Sequence, residues 1–257
     1  MNQFNDPFEG SYILDMTLSE DKWIEVIDRM ELKSSDEVGL EEQQAMFEEL
    51  GIEDRGYDKK NLISKMLNRD IQYALLDVVH DSKVLSMSLS NKENDPLYEN
   101  LMWSHYADGL RGFCLVFDKD KLLKSFLDQE LVVRPAKVEY QDTPITVSAT
   151  RFIDSRYFLN NSDTYDLIED VTRTIAMKSK SWSYENELRL LSRSSVGGHQ
   201  YAPDSLLEII VGEKMPCDQK KLVIDTAKLS NPRIVIKQAR LMEGTYKLEI
   251  VDYSMLD

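Results

Sequence analysis

Cysteine and histidine are scarce in this chain. Two cysteines and three histidines stand among 257 residues. Cys114 sits inside the apolar run GFCLVF and Cys217 follows Met215-Pro216, so neither has metal-ligand spacing or a disulfide partner in sequence. That usage suits a reducing compartment, the cytoplasm, and Cys114 reads as a small buried hydrophobe rather than a nucleophile. His80, His105 and His199 are dispersed, and no Cys/His cluster forms that would hold a structural zinc. Long apolar runs are missing too: nothing approaches the ~20 residues a helical membrane span needs. The opening MNQFNDPFEG has neither a basic nor an apolar signal region, so no secretory leader is expected. GxGxxG, Walker A, HExxH and GxSxG patterns are absent, and Gly197-Gly198 reads as a loop. Basic residues interleave only weakly with aromatics, so a nucleic-acid surface is not expected.

Acidic charge, by contrast, is plentiful. The net charge is −15, and residues 1–60 hold 17 Asp and Glu against 6 Lys and Arg. The favoured reading is a solvated helical face. The sharper one is an acidic docking surface for a basic protein partner, across Glu41, Glu42, Glu48 and Glu49.

Periodicity supplies the elements. Ser19-Glu20-Asp21 begins a helix with an N-cap serine and acids in the first turn. Leu40–Leu50 reads as a second, very acidic helix stopped by Gly51, and Asp58–Asp81 as the longest helical run. From Val84 the texture changes. VLSMSLS alternates as a half-buried strand, Leu97–Asp108 reads as a helix, Gly112–Asp118 as a strand and Lys119–Asp128 as a short helix. Leu131–Tyr140 is a strand that Pro135 assigns to an edge or a bend. Thr164–Lys180 reads as a helix, Glu185–Ser192 and Leu206–Gly212 as strands, and Cys217–Leu229 as a helix. Arg233–Leu241 and Tyr246–Asp252 form a closing hairpin. Strands and helices mix without a βαβ period, which predicts an α+β fold: a mixed, mostly antiparallel sheet with flanking helices. The expected organisation is an acidic, mostly helical region over 1–83 and an α+β core over 84–257, together one compact domain.

Two islands within that core concentrate chemistry: Leu101–Phe117 (LMWSHYADGLRGFCLVF) and Ser181–Leu191 (SWSYENELRLL). Read as a strand, the second puts Glu185, Glu187 and Arg189 on one face and Tyr184, Leu188 and Leu190 on the other. Two neighbouring carboxylates offset by an arginine make an acid/base or ribose-binding device. The same residues also fit a structural Glu–Arg pair, the reading favoured on the residues alone. In the first island Trp103, His105, Tyr106 and Asp108 precede Gly109, and Arg111-Gly112 leads into the strand. On a helix His105 and Asp108 are within hydrogen-bonding reach. A cap packed by Trp103 and Tyr106 explains the cluster plainly, whereas a nucleotide pocket, with rings stacking a base, explains it functionally.

These residues resemble the bacterial domain-of-unknown-function 2971 family. The likeness lies in Asn5-Asp6-Pro7-Phe8-Glu9, in Val84-Leu85-Ser86-Met87-Ser88, in the central Leu101–Asp108 with Gly112-Phe113, and in the late Trp182–Arg189 followed by the strand Leu207–Gly212. Members usually carry a strand and short helix upstream of the first element. Met1 stands four residues before Asn5, so the expectation is a shortened chain or a start further upstream. The family's name implies no activity, but its motif order is similar to that of ADP-ribosyltransferase-like proteins. The analogy implies NAD as substrate, in defence or toxin biology. Glu187 would bind the nicotinamide-ribose hydroxyl and stabilise the transition state, and Glu185 would orient the acceptor. Tyr106 or Trp103 would stack a ring, with His105 and Tyr184 beside them, and Arg111 or Arg189 would offset the pyrophosphate. The rival expectations are a non-catalytic sensor docking through the acidic helices and a metal-dependent hydrolase built on Glu185, Glu187 and Asp108 or Asp118.

Overall fold

The computed structural model describes residues 10–37, 59–91, 95–154, 168–193 and 198–253. The acidic helix expected over Leu40–Leu50, its glutamates and the Asn5–Glu9 element lie outside the described residues. In chain order the first elements are β1 (Tyr12–Asp15), α1 (Glu20–Glu37), α2 (Lys59–Asp81), β2 (Lys83–Ser88), α3 (Asn100–Tyr106) and β3 (Phe113–Phe117). Next come α4 (Lys119–Leu127), β4 (Val133–Lys137), β5 (Glu139–Gln141), β6 (Ile145–Ser148), α5 (Ala149–Asp154) and α6 (Ile168–Ile175). The chain ends with β7 (Met177–Ser179), β8 (Glu187–Ser192), β9 (Leu206–Gly212), α7 (Cys217–Ser230), β10 (Val235–Leu241) and β11 (Leu248–Asp252). The fold is α+β, with helices beside mixed, mostly antiparallel sheets. No described helix is long and apolar enough to cross a membrane.

The chain divides into two compact units, one of residues 1–82 and 141–179, the other of residues 83–140 and 180–257. In the first, β1 and β6 pair in parallel, Tyr12 opposite Ile145, although some 130 residues separate them in sequence. Its core gathers Val26 from α1, Ile63, Leu67, Ile71 and Ala74 from α2, and Phe152 and Ile153 from α5, all buried. The α1 N-terminus is capped as its sequence predicts, the Lys22 amide donating to Ser19 Oγ at 3.3 Å. Lys22 also joins Glu25 and Asp154, and Lys60 reaches Glu20 at 2.8 Å.

The second unit holds two sheets. In the four-stranded one the order is β11-β10-β9-β3. β9 is apolar throughout its centre because both its faces are covered. Ile209 and Val211 pack with Met215, Ala227 and Ile234 on the α7 side, while Ile210 joins Trp103, Ala107, Leu110, Ala239 and Leu248 on the other. β9 and β10 run parallel, a geometry that needs the α7 crossover between them, and β10–β11 is the predicted hairpin. The three-stranded sheet has the order β2-β8-β4. Leu188 and Leu190 of its central strand pack on Leu122 and Phe126 of α4, each side chain so buried being worth about 1.5–3 kcal/mol. Pro135 lies on β4, an edge strand whose ladder tolerates a missing donor, as the sequence predicts.

Asp118, considered above as a metal ligand, caps α4 instead: it accepts from the Asp120 and Lys121 amides, both at 3.0 Å. Cys114 is half-buried on β3; burial, and then the charge of Asp95, push its thiol up to about 11. It is therefore protonated at neutral pH and a poor nucleophile.

Candidate functional site

Both sequence islands lie in the second unit, and its local geometry draws them together. Helix α3 turns Trp103 and Ala107, four residues apart, into the core beside β9. Trp103 donates its indole N–H to the Leu97 carbonyl at 2.8 Å. His105 and Tyr106 consequently fall on the open side of the helix, and both are exposed. After α3 the backbone makes three successive left-handed residues, Asp108, Gly109 and Leu110, with φ of 45°, 59° and 72°. Asp and Gly enter that region at low cost; Leu does so only against about 1–2 kcal/mol, offset here by burial of its side chain in the core. Arg111 finishes the turn, donating from Nη1 to the Asp108 carbonyl at 3.1 Å.

The second island is not one strand. Residues 180–185 form a 3₁₀ helix, Asn186 takes a left-handed φ of 43°, and β8 starts only at Glu187. The Asn186 side chain donates to the Leu89 carbonyl, and the Leu89 amide returns a bond to the Asn186 carbonyl at 2.9 Å. Asparagine tolerates this conformation better than most residues, which is why the chain can kink here. The kink corrects the sequence expectation that Glu185, Glu187 and Arg189 share one strand face. Glu187 and Arg189 do share the strand; Glu185 ends the preceding turn.

The two glutamates accordingly have different surroundings. Glu187 is held in the fork of Arg189, with Nε to Oε1 at 2.8 Å and Nη2 to Oε2 at 3.1 Å. Arg189 is fully buried and Glu187 nearly so (0% and 4% exposed). The cross-strand neighbours of Arg189 are Ser86 on β2 and Ala136 on β4, small residues that leave room for a guanidinium. The Glu187 amide donates to the Tyr140 hydroxyl at 2.8 Å. Glu185, 2% exposed, accepts a hydrogen bond from the Tyr106 hydroxyl.

Beside Tyr106 stand further aromatic rings. His105, Trp182 and Tyr184 form a triangle with centroid separations of 5.9 Å (His105–Trp182), 6.4 Å (His105–Tyr184) and 6.1 Å (Trp182–Tyr184). Tyr106 lies 6.4 Å from His105. His105 thus turns to these rings rather than to Asp108.

Of the residues singled out from sequence, the fold brings together His105, Tyr106, Tyr184 and Glu185, and separately pairs Glu187 with Arg189. It puts Trp103 in the core and Arg111 in the turn. Trp182 and Tyr140 went unselected in the sequence. Trp182 carried a signal, the repeat of a Trp-Ser dipeptide at 103–104 and 182–183; Tyr140 carried none. Among the described residues no group of three or more His, Cys, Asp or Glu is arranged to hold a metal ion.

The unit is thus an α+β scaffold presenting an aromatic cluster backed by a buried carboxylate. Residues 102–190 match a family model described as protein of unknown function (DUF2971), a span that includes every residue of this cluster. No curated protein and no solved structure matches the chain.

Proposed function

We propose that the cluster binds a nucleotide through a flat ring, and that the reaction is cleavage of the nicotinamide–ribose bond of NAD in the manner of an ADP-ribosyltransferase or glycohydrolase. The observation that carries this reading is the triangle of His105, Trp182 and Tyr184, joined through Tyr106 to the buried carboxylate of Glu185. The exposed His105 and the half-buried Trp182 and Tyr184 offer aromatic surface to a heterocycle, and a desolvated carboxylate stabilises positive charge as it develops on a sugar carbon.

In this account the roles implied by the resemblance are exchanged. Glu187 is committed to Arg189 and acts as a positioning residue for β8, whereas Glu185 faces the reacting sugar. A ribose hydroxyl displaces the Tyr106 hydroxyl and donates to Glu185. The C–N bond breaks with its electron pair leaving on nicotinamide, and water or an acceptor hydroxyl supplies the new C–O bond and releases its proton. The bacterial cytoplasm, where the nucleotide is available, is the proposed setting.

Stacking predicts the first test. Base–aromatic contacts are worth about 1–3 kcal/mol, so Trp182→Leu should weaken NAD binding about tenfold or more by titration calorimetry, with the melting temperature of the apoprotein little changed. Equal affinity in the variant would contradict the assignment of the ring site.

A further inference from the structure

We propose that two copies of this chain pair through strand β3, edge to edge and antiparallel about Leu115, so that their four-stranded sheets become one. The inference does not depend on the nucleotide reading. β3 stands at the end of its sheet, and among the described residues no strand pairs with its outer edge. The register shows which backbone groups face outward. Phe113 stands opposite Val211 of β9, and the Gly212 amide donates to the Gly112 carbonyl at 2.9 Å. Hydrogen-bonded and non-hydrogen-bonded pairs alternate in an antiparallel ladder, so Cys114 and Val116 direct their groups to β9. The register shift near Val116 falls on the β9 side, where Leu207 is the extra residue, and β3 itself runs on without a break. Beyond the shift the Asp118 amide again donates inward, to the Ser205 carbonyl at 2.8 Å. The N–H and C=O of Phe113, Leu115 and Phe117 therefore point away from the sheet. The Leu115 carbonyl receives a long contact from the Cys114 thiol, at 3.7 Å, too weak to close the edge.

An open edge of this kind recruits other strands, and folds blunt it with charge, proline or bulges. The edge strands β2, β4 and β11 carry such devices: Lys83 on β2, Arg134, Pro135 and Lys137 on β4, and Glu249 and Asp252 on β11. β3 is Phe-Cys-Leu-Val-Phe, with neither charge nor proline. Phe113 and Leu115 are exposed, and the exposed Tyr201 meets the Phe117 ring at a centroid distance of 5.1 Å, which extends the apolar rim. The occupant follows from the order of the residues. About Leu115 the strand reads nearly alike in both directions, so a second copy run antiparallel sets Leu115 opposite Leu115, Phe113 opposite Phe117 and Cys114 opposite Val116. Each outward-facing pair then exchanges both its N–H···O bonds, with aromatic rings opposed across the strands. Such a contact uses the same patch on both copies and closes as a dimer. Charge agrees with it. The chain carries a net charge of −15, yet the self-paired segment sets no like charges opposite each other, and Asp118 of each copy falls opposite Gly112 of the other, next in line to Arg111.

The full chain is measured by sedimentation equilibrium across the micromolar range, beside Leu115→Lys and Leu115→Glu. The Leu115 side chain is exposed and its backbone groups face away from β9, so both variants should keep the wild-type melting temperature. The wild-type chain should show a concentration-dependent doubling of its mass from 29.8 kDa. Each variant alone sets like charges against each other on the two-fold axis and should stay monomeric. An equimolar mixture sets Lys against Glu there and should regain the dimer. Amide hydrogen exchange on the wild-type chain gives a readout that needs no variant: Phe113, Leu115 and Phe117 should exchange more slowly in the concentrated sample than in the dilute one. A wild-type chain that stays monomeric overturns the proposal. A dimer that survives in either variant, or one that leaves those three amides unprotected, overturns β3 as its interface. Natively melting variants that remain monomeric when mixed overturn the register about Leu115.

Discussion

Arg189→Leu should cost about 3–5 kcal/mol of folding stability, because it leaves the Glu187 carboxylate buried with its bidentate partner gone. A domain is stable by only about 5–15 kcal/mol, so a loss of that size approaches unfolding. The pair sits on the central strand of a three-stranded sheet, at 2.8 and 3.1 Å, with both residues shielded from water. Geometry of that quality offsets much of the desolvation both ions suffer, yet breaking it removes the bidentate partner of a buried charge. The check is urea unfolding monitored by far-ultraviolet circular dichroism, with the double variant Glu187→Leu/Arg189→Leu beside the single one. The double variant should recover most of the loss, since replacing a buried ion pair with apolar residues is often close to neutral. A single variant that loses less than about 1 kcal/mol would show that the pair is solvated and that its assignment as the sheet's internal support is wrong.

The second large effect is expected at Gly212. A Cβ added there would stand 2.1 Å from the Leu110 carbonyl oxygen and 2.5 Å from the carbonyl carbon, both backbone atoms that cannot rotate away. The close approach has a cause: Gly212 donates its amide to the Gly112 carbonyl at 2.9 Å, and Lys214 donates to the Leu110 carbonyl at 3.1 Å. These bonds fasten the left-handed Asp108–Leu110 turn to the end of β9. Gly212→Ala should therefore cost more than about 4 kcal/mol or prevent folding, in the exceptional range for a single substitution. Gly198 meets nothing within 4 Å of an added Cβ and serves as the control, with Gly198→Ala near neutral. Thermal unfolding of the two variants side by side decides the matter. Equal melting temperatures would mean that the turn does not hold α3 against β9.

Much of the second unit was legible in the sequence because its signals are local. The alternation of VLSMSLS gives β2, the apolar run LLEIIVG gives β9, and Glu243-Gly244 between two short strands gives the final hairpin. The pairing of β1 with β6 was not legible: four-residue strands far apart in sequence carry no pattern that names a partner. Nor was β7, since the three residues Met177-Lys178-Ser179, directly after helix α6, are too few to show a strand alternation of their own.

At the site the same limit appears residue by residue. Alternation along ENELRL correctly joined Glu187 to Arg189, but it also assigned Glu185 to that face, because nothing in the sequence announces the left-handed backbone of Asn186. Trp103 and Trp182 both precede a serine, and only the fold distinguishes them. The first fills the core at 4% exposure; the second stands in the ring cluster. Spacing along a helix explains why His105 and Tyr106 are outside when Trp103 and Ala107 are inside, yet it says nothing of the 3₁₀ turn they meet.

The most direct measurement is release of nicotinamide from NAD by the purified chain, followed by chromatography, beside Glu185→Gln. The account predicts release by the wild-type chain and a loss of about 10²–10³-fold in the variant, the scale on which removal of one stabilising group acts in a water-excluded site. NAD should still bind the variant and its melting temperature should hold. Release at the full rate from Glu185→Gln, or none from a wild-type chain saturated with NAD, would contradict the proposed chemistry.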